Sequence, residues 1–332
     1  MSTTLCGSPW TAVIAAKTLK RKPLSIYFQQ QPVVLFRSGD HIAALLDRCP
    51  HRGALLSAGK VCGTSLQCPY HGWQFDGSGR QTGFPGIPET AKCPAFNIKA
   101  FDAVEDSGLI WLREQVPDAD TGRRFVPAVH HSHTCFTVAA SINAGLVDIA
   151  ENFLDALHTH FIHPGNIRSQ THQRHLCEVT VTQVEDGYQA LYVETKQQSG
   201  LISRLFGQGI SHSIGRIRHP GIAEIEYHSN TGIELSVVIY LRQETGQRCQ
   251  LIFRNYFRRR IIPGWLQQAA LAPFQYLALK QDKHILESSA NNVSNCPDFH
   301  PIISRYDVMR PYIEKALQGQ IDDTHEQLQL ML

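Results

Sequence analysis

Cys49-Pro50-His51-Arg52-Gly53 and, further on, Cys68-Pro69-Tyr70-His71-Gly72-Trp73 are the stretches that decide how this chain is read. As spacing they give C-x-H, 16 intervening residues, then C-x2-H. Each half pairs one thiol with one imidazole on a turn-like loop, so the two loops can converge on one small metal centre. Gly53 and Gly72 permit close backbone approach, letting N–H groups point at sulfur. Pro50, Pro69 and Trp73 can shield such a centre from water and so tune it.

Two kinds of centre use this donor set. In one class of iron–sulfur cluster two imidazoles replace two thiolates on one iron, and the neutral ligands raise the reduction potential by hundreds of millivolts. Such a centre relays single electrons. A tetrahedral Cys2His2 zinc site takes the same four residues, although zinc hairpins more often keep each half homogeneous. Spacing by itself leaves both open. Cys62 lies between the loops and is expected to be a bystander, like the remaining cysteines.

Outward from the loops, the first third reads as β structure. Leu24–Phe28, Pro32–Phe36 and Ile42–Leu46 are β-branched and aromatic runs separated by turn formers, and Gly108–Leu112 closes the set. A boundary is expected near Val116-Pro117-Asp118, dividing the chain into 1–116 and 117–332. Beyond it, Ile149–Ile162 reads as a helix stopped by Pro164. Strands are expected at Cys177–Val184, Ala190–Glu194, Ile222–Tyr227, Leu235–Leu241 and Gln250–Phe257. A long helix from about Trp265 to Ser289 is expected to kink at Pro273. A last helix spans Tyr312–Leu317, and Asp322–Leu332 is read as a frayed tail. Strands before helices, without βαβ alternation, predict an α+β fold: an all-β N-terminal domain, then antiparallel sheet flanked by helices.

Composition sets the outer limits. The 332 residues are 42% hydrophobic and 18% charged, with 31 basic against 29 acidic side chains. That balance predicts no nucleic-acid footprint. No apolar run reaches the length of a membrane span, and no signal peptide is evident. Nine cysteines, an odd number, argue against a disulfide framework and for a reducing, cytoplasmic compartment. Seventeen histidines direct attention to metal chemistry.

A second constellation lies in Glu151–His163, where Asp155, His158, His160 and His163 fall close together. It could supply part of a 2-His-1-carboxylate iron site with open positions for O2 and substrate. On a regular helix Asp155 and His158 lie about 60° apart, His160 and His163 about 60°, and His158 and His163 about 140°. Bare geometry therefore leaves the pair His160/His163 available.

The two loops, with Pro32–Arg37 and Gly108–Leu112, resemble the Rieske non-haem iron oxygenases, in particular their oxygenase component. The resemblance covers roughly Trp10 to Leu112 and implies a [2Fe-2S] cluster on Cys49, His51, Cys68 and His71. The family pattern N-x2-D-x2-H-x4-H matches Asn152, Asp155, His158 and His163. It selects His158 and His163 as ligands of a mononuclear Fe(II). The family's late E-D-K-x3-E pattern matches Gln281-Asp282-Lys283 through Glu287, with Gln281 in place of the usual Glu, and offers Asp282 as third ligand. Asp155 is implied to be an electron-transfer bridge, linking His158 to a cluster histidine of a neighbouring subunit, so that a homotrimer is expected.

By this resemblance the chain would be a terminal oxygenase component, hydroxylating or oxidatively demethylating a small aromatic or alicyclic substrate. Its electrons would come from NAD(P)H through a reductase or ferredoxin. Length and the Asn-Phe-Leu-Asp-x2-His string favour the vanillate demethylase and dicamba monooxygenase branch. A ring-dihydroxylating dioxygenase and a non-catalytic Rieske electron-transfer or redox-sensing protein are the alternatives. A substrate pocket, or simply core, is expected from Leu235–Leu241, Leu251–Tyr256 and the helix face around Phe274, Leu277 and Ala278.

Overall fold

The computed structural model describes residues 9–86, 96–115, 124–164, 174–195, 210–259 and 263–332, and the backbone of Thr3 and Thr4. The chain gathers into two compact units, one over Cys6–Phe125 with Arg242–Gly246 and one over Val126–Leu241 and Gln247–Leu332 with the first five residues. The expected boundary at Val116-Pro117-Asp118 lies outside the described residues.

In the first unit a six-stranded antiparallel sheet runs in the order Thr11–Ala15, Leu109–Glu114, Ala100–Asp106, His41–Leu46, Gln31–Ser38, Leu24–Phe28. Side chains alternate across a strand, which explains the unbroken apolar run Val33–Phe36. Val33 and Leu35 enter one core with Ile26, Phe28 and Phe101. Val34 and Phe36 enter another, which also holds Leu56, Leu66, Phe75, Cys49 and Cys68. A strand buried on both faces has no polar alternation to show. The second core seats a smaller sheet, Lys60–Cys62, Ser65–Gln67, Gln74–Phe75 and Gln81–Gly83. Both cysteines of the motif are thereby rooted in packed hydrocarbon.

The second unit is an eight-stranded antiparallel sheet in the order His133–Asn143, Arg248–Arg258, Gly232–Thr245, Ile222–Ser229, His212–Arg218, Gly187–Glu194, Leu176–Val184, His325–Met331. Two of these strands, His133–Asn143 and His212–Arg218, are absent from the sequence-based reading. A third overturns it: the C-terminal segment is no frayed tail. Leu328 and Leu330 alternate with Gln327 and Gln329, Leu330 is buried, and the strand pairs with Leu176–Thr182. Polar partners at every second place suit an edge strand with one face in water.

Four α-helices of this unit are described: Leu146–Leu154, Thr159–Ile162, Gly264–Ser294 and Arg310–Leu317. The helix expected over Ile149–Ile162 is two helices, interrupted at Asp155–His158. The long helix runs unbroken through Pro273, and its buried residues Leu279, Asp282 and Leu286 share one stripe. Lys283 donates to the Ser141 carbonyl at 2.8 Å, and Glu287 accepts from the Asn143 backbone N–H at 2.9 Å. These contacts hold the helix on the first strand of the sheet.

Two candidate metal centres

The cluster loops are built alike. Gly53 N–H donates to the Cys49 carbonyl and Cys49 N–H to the Ala54 carbonyl; Gly72 N–H donates to the Cys68 carbonyl and Cys68 N–H to the Trp73 carbonyl. Both glycines sit at φ +73°, in the left-handed region that glycine enters without a steric penalty. Each loop thus curls back on its own cysteine and lifts the following histidine to the surface. Cys49 and Cys68 are buried, while His51 and His71 are exposed with ring centroids 4.6 Å apart. Trp73 stacks on His51 at 4.6 Å.

Thiols meet inside and imidazoles meet outside. This separation fits a two-iron cluster with sulfur ligands on one iron and nitrogen ligands on the other. Burial, followed by the Cys68 thiol alongside, pushes the Cys49 thiol above its ordinary range, although the backbone N–H groups of His51 and Arg52 pull the other way. A buried thiol pair favours the thiolate form once a cation is bound. Cys62, by contrast, donates its thiol to Gln67 Oε1 at 3.5 Å and takes no place between the loops' donors.

The second centre depends on the helix break. Asp155 leaves the helix with an extended backbone (φ −76°, ψ 126°). Its Oδ1 accepts from Leu157 N–H at 2.7 Å and its Oδ2 from His158 N–H at 2.9 Å, holding the turn that leads into the short helix. The Tyr192 hydroxyl donates to the Leu154 carbonyl at 3.3 Å, satisfying an acceptor at the end of the first helix. Because the chain turns here, the angles of one continuous helix do not apply. His158 and His163 come together with ring centroids 5.4 Å apart.

The long helix brings Asp282 to these two rings. Its Oδ1 lies 3.0 Å from Nε2 of His163 and 3.7 Å from Nε2 of His158. Ligand atoms about 2.0–2.2 Å from one first-row ion sit within about 4.4 Å of each other, so both spacings suit a shared ion. Asp282 is buried on an apolar stripe and Oδ1 has no hydrogen-bond partner, as is also true of Nδ1 of His158. A buried carboxylate left so is costly unless a cation completes it. The structure therefore brings together His158, His163 and Asp282, the one such donor group among the described residues. Burial alone would lower the His163 pKa, but Asp282, and then Gln281, carry it above the ordinary histidine value.

Asp155 stands beside this group, its Oδ2 3.5 Å from Nδ1 of His158 and its side chain about a third exposed. A cavity of about 110 Å³ opens onto all three candidate ligands, lined also by Phe153, Tyr192, Ser213, Ile214, Ile225 and Tyr227. A larger one of about 520 Å³ reaches Asp155 but touches none of the three. Of the two, only the smaller touches the candidate ligands. Its walls come from strands 187–194, 212–218 and 222–229. Of the stretches expected at a pocket, Leu241, Leu251 and Phe253 belong to the core and Leu277 is exposed. His133 bonds the Ile233 carbonyl, and Arg258 pairs with Glu234.

Residues 9–97 match the family described as the Rieske [2Fe-2S] domain. Methylxanthine N1-demethylase NdmA of Pseudomonas putida is 35% identical over 147 residues, 44% of this chain and 42% of that protein. The oxygenase component of dicamba O-demethylase from Stenotrophomonas maltophilia is 32% identical over 182 residues, 54% of this chain and 53% of its own length. The chain thus spans about half the length of the relatives it matches in sequence. Whole-chain likeness appears in three dimensions. Dicamba monooxygenase bound to 3,6-dichlorosalicylic acid superposes with a TM-score of 0.79 at 24% identity, over 95% of this chain and 97% of that one. NdmA with caffeine gives 0.77 at 21%, over 96% of each. These likenesses establish the fold. The class that the motifs resemble is also the class of the sequence relatives, Rieske oxygenases of the demethylase and monooxygenase branch.

Proposed function

We propose that this chain is the terminal oxygenase component of a Rieske monooxygenase or demethylase acting on a small organic substrate. The observation that carries the reading is Asp282, a buried carboxylate within 3.0 and 3.7 Å of two imidazoles, in a chain that also has the paired Cys/His loops. Cys49, Cys68, His51 and His71 would hold the [2Fe-2S] cluster, and His158, His163 and Asp282 the mononuclear Fe(II). When bound, the cluster supplies electrons singly and the lone iron supplies open positions at which O2 is activated.

The protein's own part is orientation and insulation. Phe153, Ile214 and Ile225 would hold an apolar substrate against the ligand face and exclude water, while Ser213 and Tyr227 offer polar anchors. Methylated heterocycles or methoxylated aromatics are the favoured substrate class, by likeness to the demethylases. Asp155 would carry electrons inward: one oxygen faces His158, and its partial exposure leaves the carboxylate open to the partner subunit's His71. That route requires an oligomer, and a homotrimer is proposed. A reductase or ferredoxin would feed the cluster from NAD(P)H. The described cysteines are free thiols, which supports a cytoplasmic setting.

The test is iron and sulfide analysis of the purified chain, followed by O2 uptake and product mass with a surrogate reductase and a panel of N- and O-methylated aromatics. The two cluster irons and one more per chain, with formaldehyde released from a methylated substrate, are expected. A protein that binds only the cluster irons after anaerobic Fe(II) loading would end the oxygenase reading.

A further inference from the structure

His163 is gripped at both ring nitrogens from one helix. Nδ1 lies 2.9 Å from Oε1 of Gln281, and Nε2 lies 3.0 Å from Oδ1 of the next residue, Asp282. Consecutive helical residues point about 100° apart, so two neighbours on Gly264–Ser294 reach around the ring from two sides. His163 is 1% exposed, so both ring nitrogens face protein groups and not bulk solvent. An amide oxygen only accepts. Nδ1 therefore donates to Gln281, and Nε2 is the nitrogen turned to Asp282 and His158, the one a bound metal would take.

We infer that Gln281 is a positioning residue, which fixes His163 in the tautomer and rotation that present Nε2 to the metal. This rests on the proposed assignment of His158, His163 and Asp282 as iron ligands. The contact is distinctive in its chemistry. A carboxylate at this position would also accept from Nδ1, but it would add a formal negative charge beside the ring; the amide orients the ring without one. Gln281 thus separates two effects, orientation and charge, that a carboxylate would supply together.

The experiment compares Gln281→Met, which keeps length and packing but removes the acceptor, with Gln281→Glu, which keeps the acceptor and adds charge. Iron retained by the cluster-loaded full chain is measured during anaerobic dialysis against graded Fe(II), with the visible spectrum of the cluster as an internal check on folding. The Met variant is expected to bind the third iron about 10- to 100-fold more weakly, with an unchanged cluster spectrum. The Glu variant is expected to bind it at least as tightly as wild type. A Met variant that holds iron like wild type, or a Glu variant as weak as the Met one, would overturn the positioning role. Failure of the wild-type chain itself to take up a third iron would instead strike at the ligand assignment.

Discussion

Gly53 and Gly72 occupy the same place in two equivalent loops and share φ +73°, yet they stand in different surroundings. A Cβ on Gly53 meets nothing within 4 Å, whereas one on Gly72 would lie 2.9 Å from Cγ of Pro85. Alanine at either position carries the left-handed penalty of about 1–2 kcal/mol. At Gly72 it must also displace a proline ring that has little freedom to move. Gly53→Ala is therefore expected to lower stability by roughly that amount with the cluster retained. Gly72→Ala should lose more, and release iron and sulfide faster. Thermal unfolding and the decay of cluster absorbance under chelator, read side by side, check the ranking. The two loops were legible in the sequence because their donors, turn glycines and shielding residues are local. Gln281 was visible there only as a departure from a pattern: its partner is 118 positions away, and no periodicity connects the two.

Among the elements, the break at Asp155 matters most for the site. Ile149–Ile162 has the periodicity of a single helix, and nothing in its propensities requires an interruption. The interruption comes from a side chain that competes with the backbone, as Asp and Asn do at caps. Asp155→Ala removes both of its acceptors and is expected to cost about 0.5–2 kcal/mol, loosen His158 and reduce iron occupancy. Asp155→Asn keeps an acceptor for the turn, so iron should remain bound while electron transfer from the reduced cluster stops. Stopped-flow reoxidation of the cluster with iron content measured alongside distinguishes the two variants; coupled turnover in the Asn protein would refute the bridge. The C-terminal strand teaches a related lesson. His325–Met331 is mostly polar, and only Leu328 and Leu330 betray a buried face. An edge strand is decided by a partner, here Leu176–Thr182, far away in the chain. Leu330→Ala should cost about 2–5 kcal/mol by emptying a core position, whereas a frayed tail would give no change in urea midpoint.

For the molecule as a whole, the decisive question is whether an electron entering at the cluster loops of one chain is used at the iron of the same chain. Asp155 has one oxygen committed to the His158 side and about a third of its side chain in solvent, so its outer partner need not belong to the same polypeptide. Two defective chains can settle the route. His71→Ala removes a cluster ligand and leaves the iron site intact; His158→Ala removes an iron ligand and leaves the cluster intact and coloured. Each alone is expected to show no product. If electrons stay within a chain, a mixture of the two remains inactive, because no chain has both centres. If each iron is served by the cluster of the next subunit in a closed ring, co-expression creates productive contacts wherever a His71→Ala chain follows a His158→Ala chain. With equal, random mixing that arrangement occurs at about one contact in four, so roughly a quarter of wild-type turnover per assembled chain is expected. Product formation by the co-expressed pair, compared with separately purified proteins mixed afterwards, reads the answer. Activity near a quarter would make the oligomer part of the catalytic machinery. Complete silence from a co-purified hetero-oligomer whose metal contents are as designed would confine the electron path to the single chain and remove Asp155 from its bridging role.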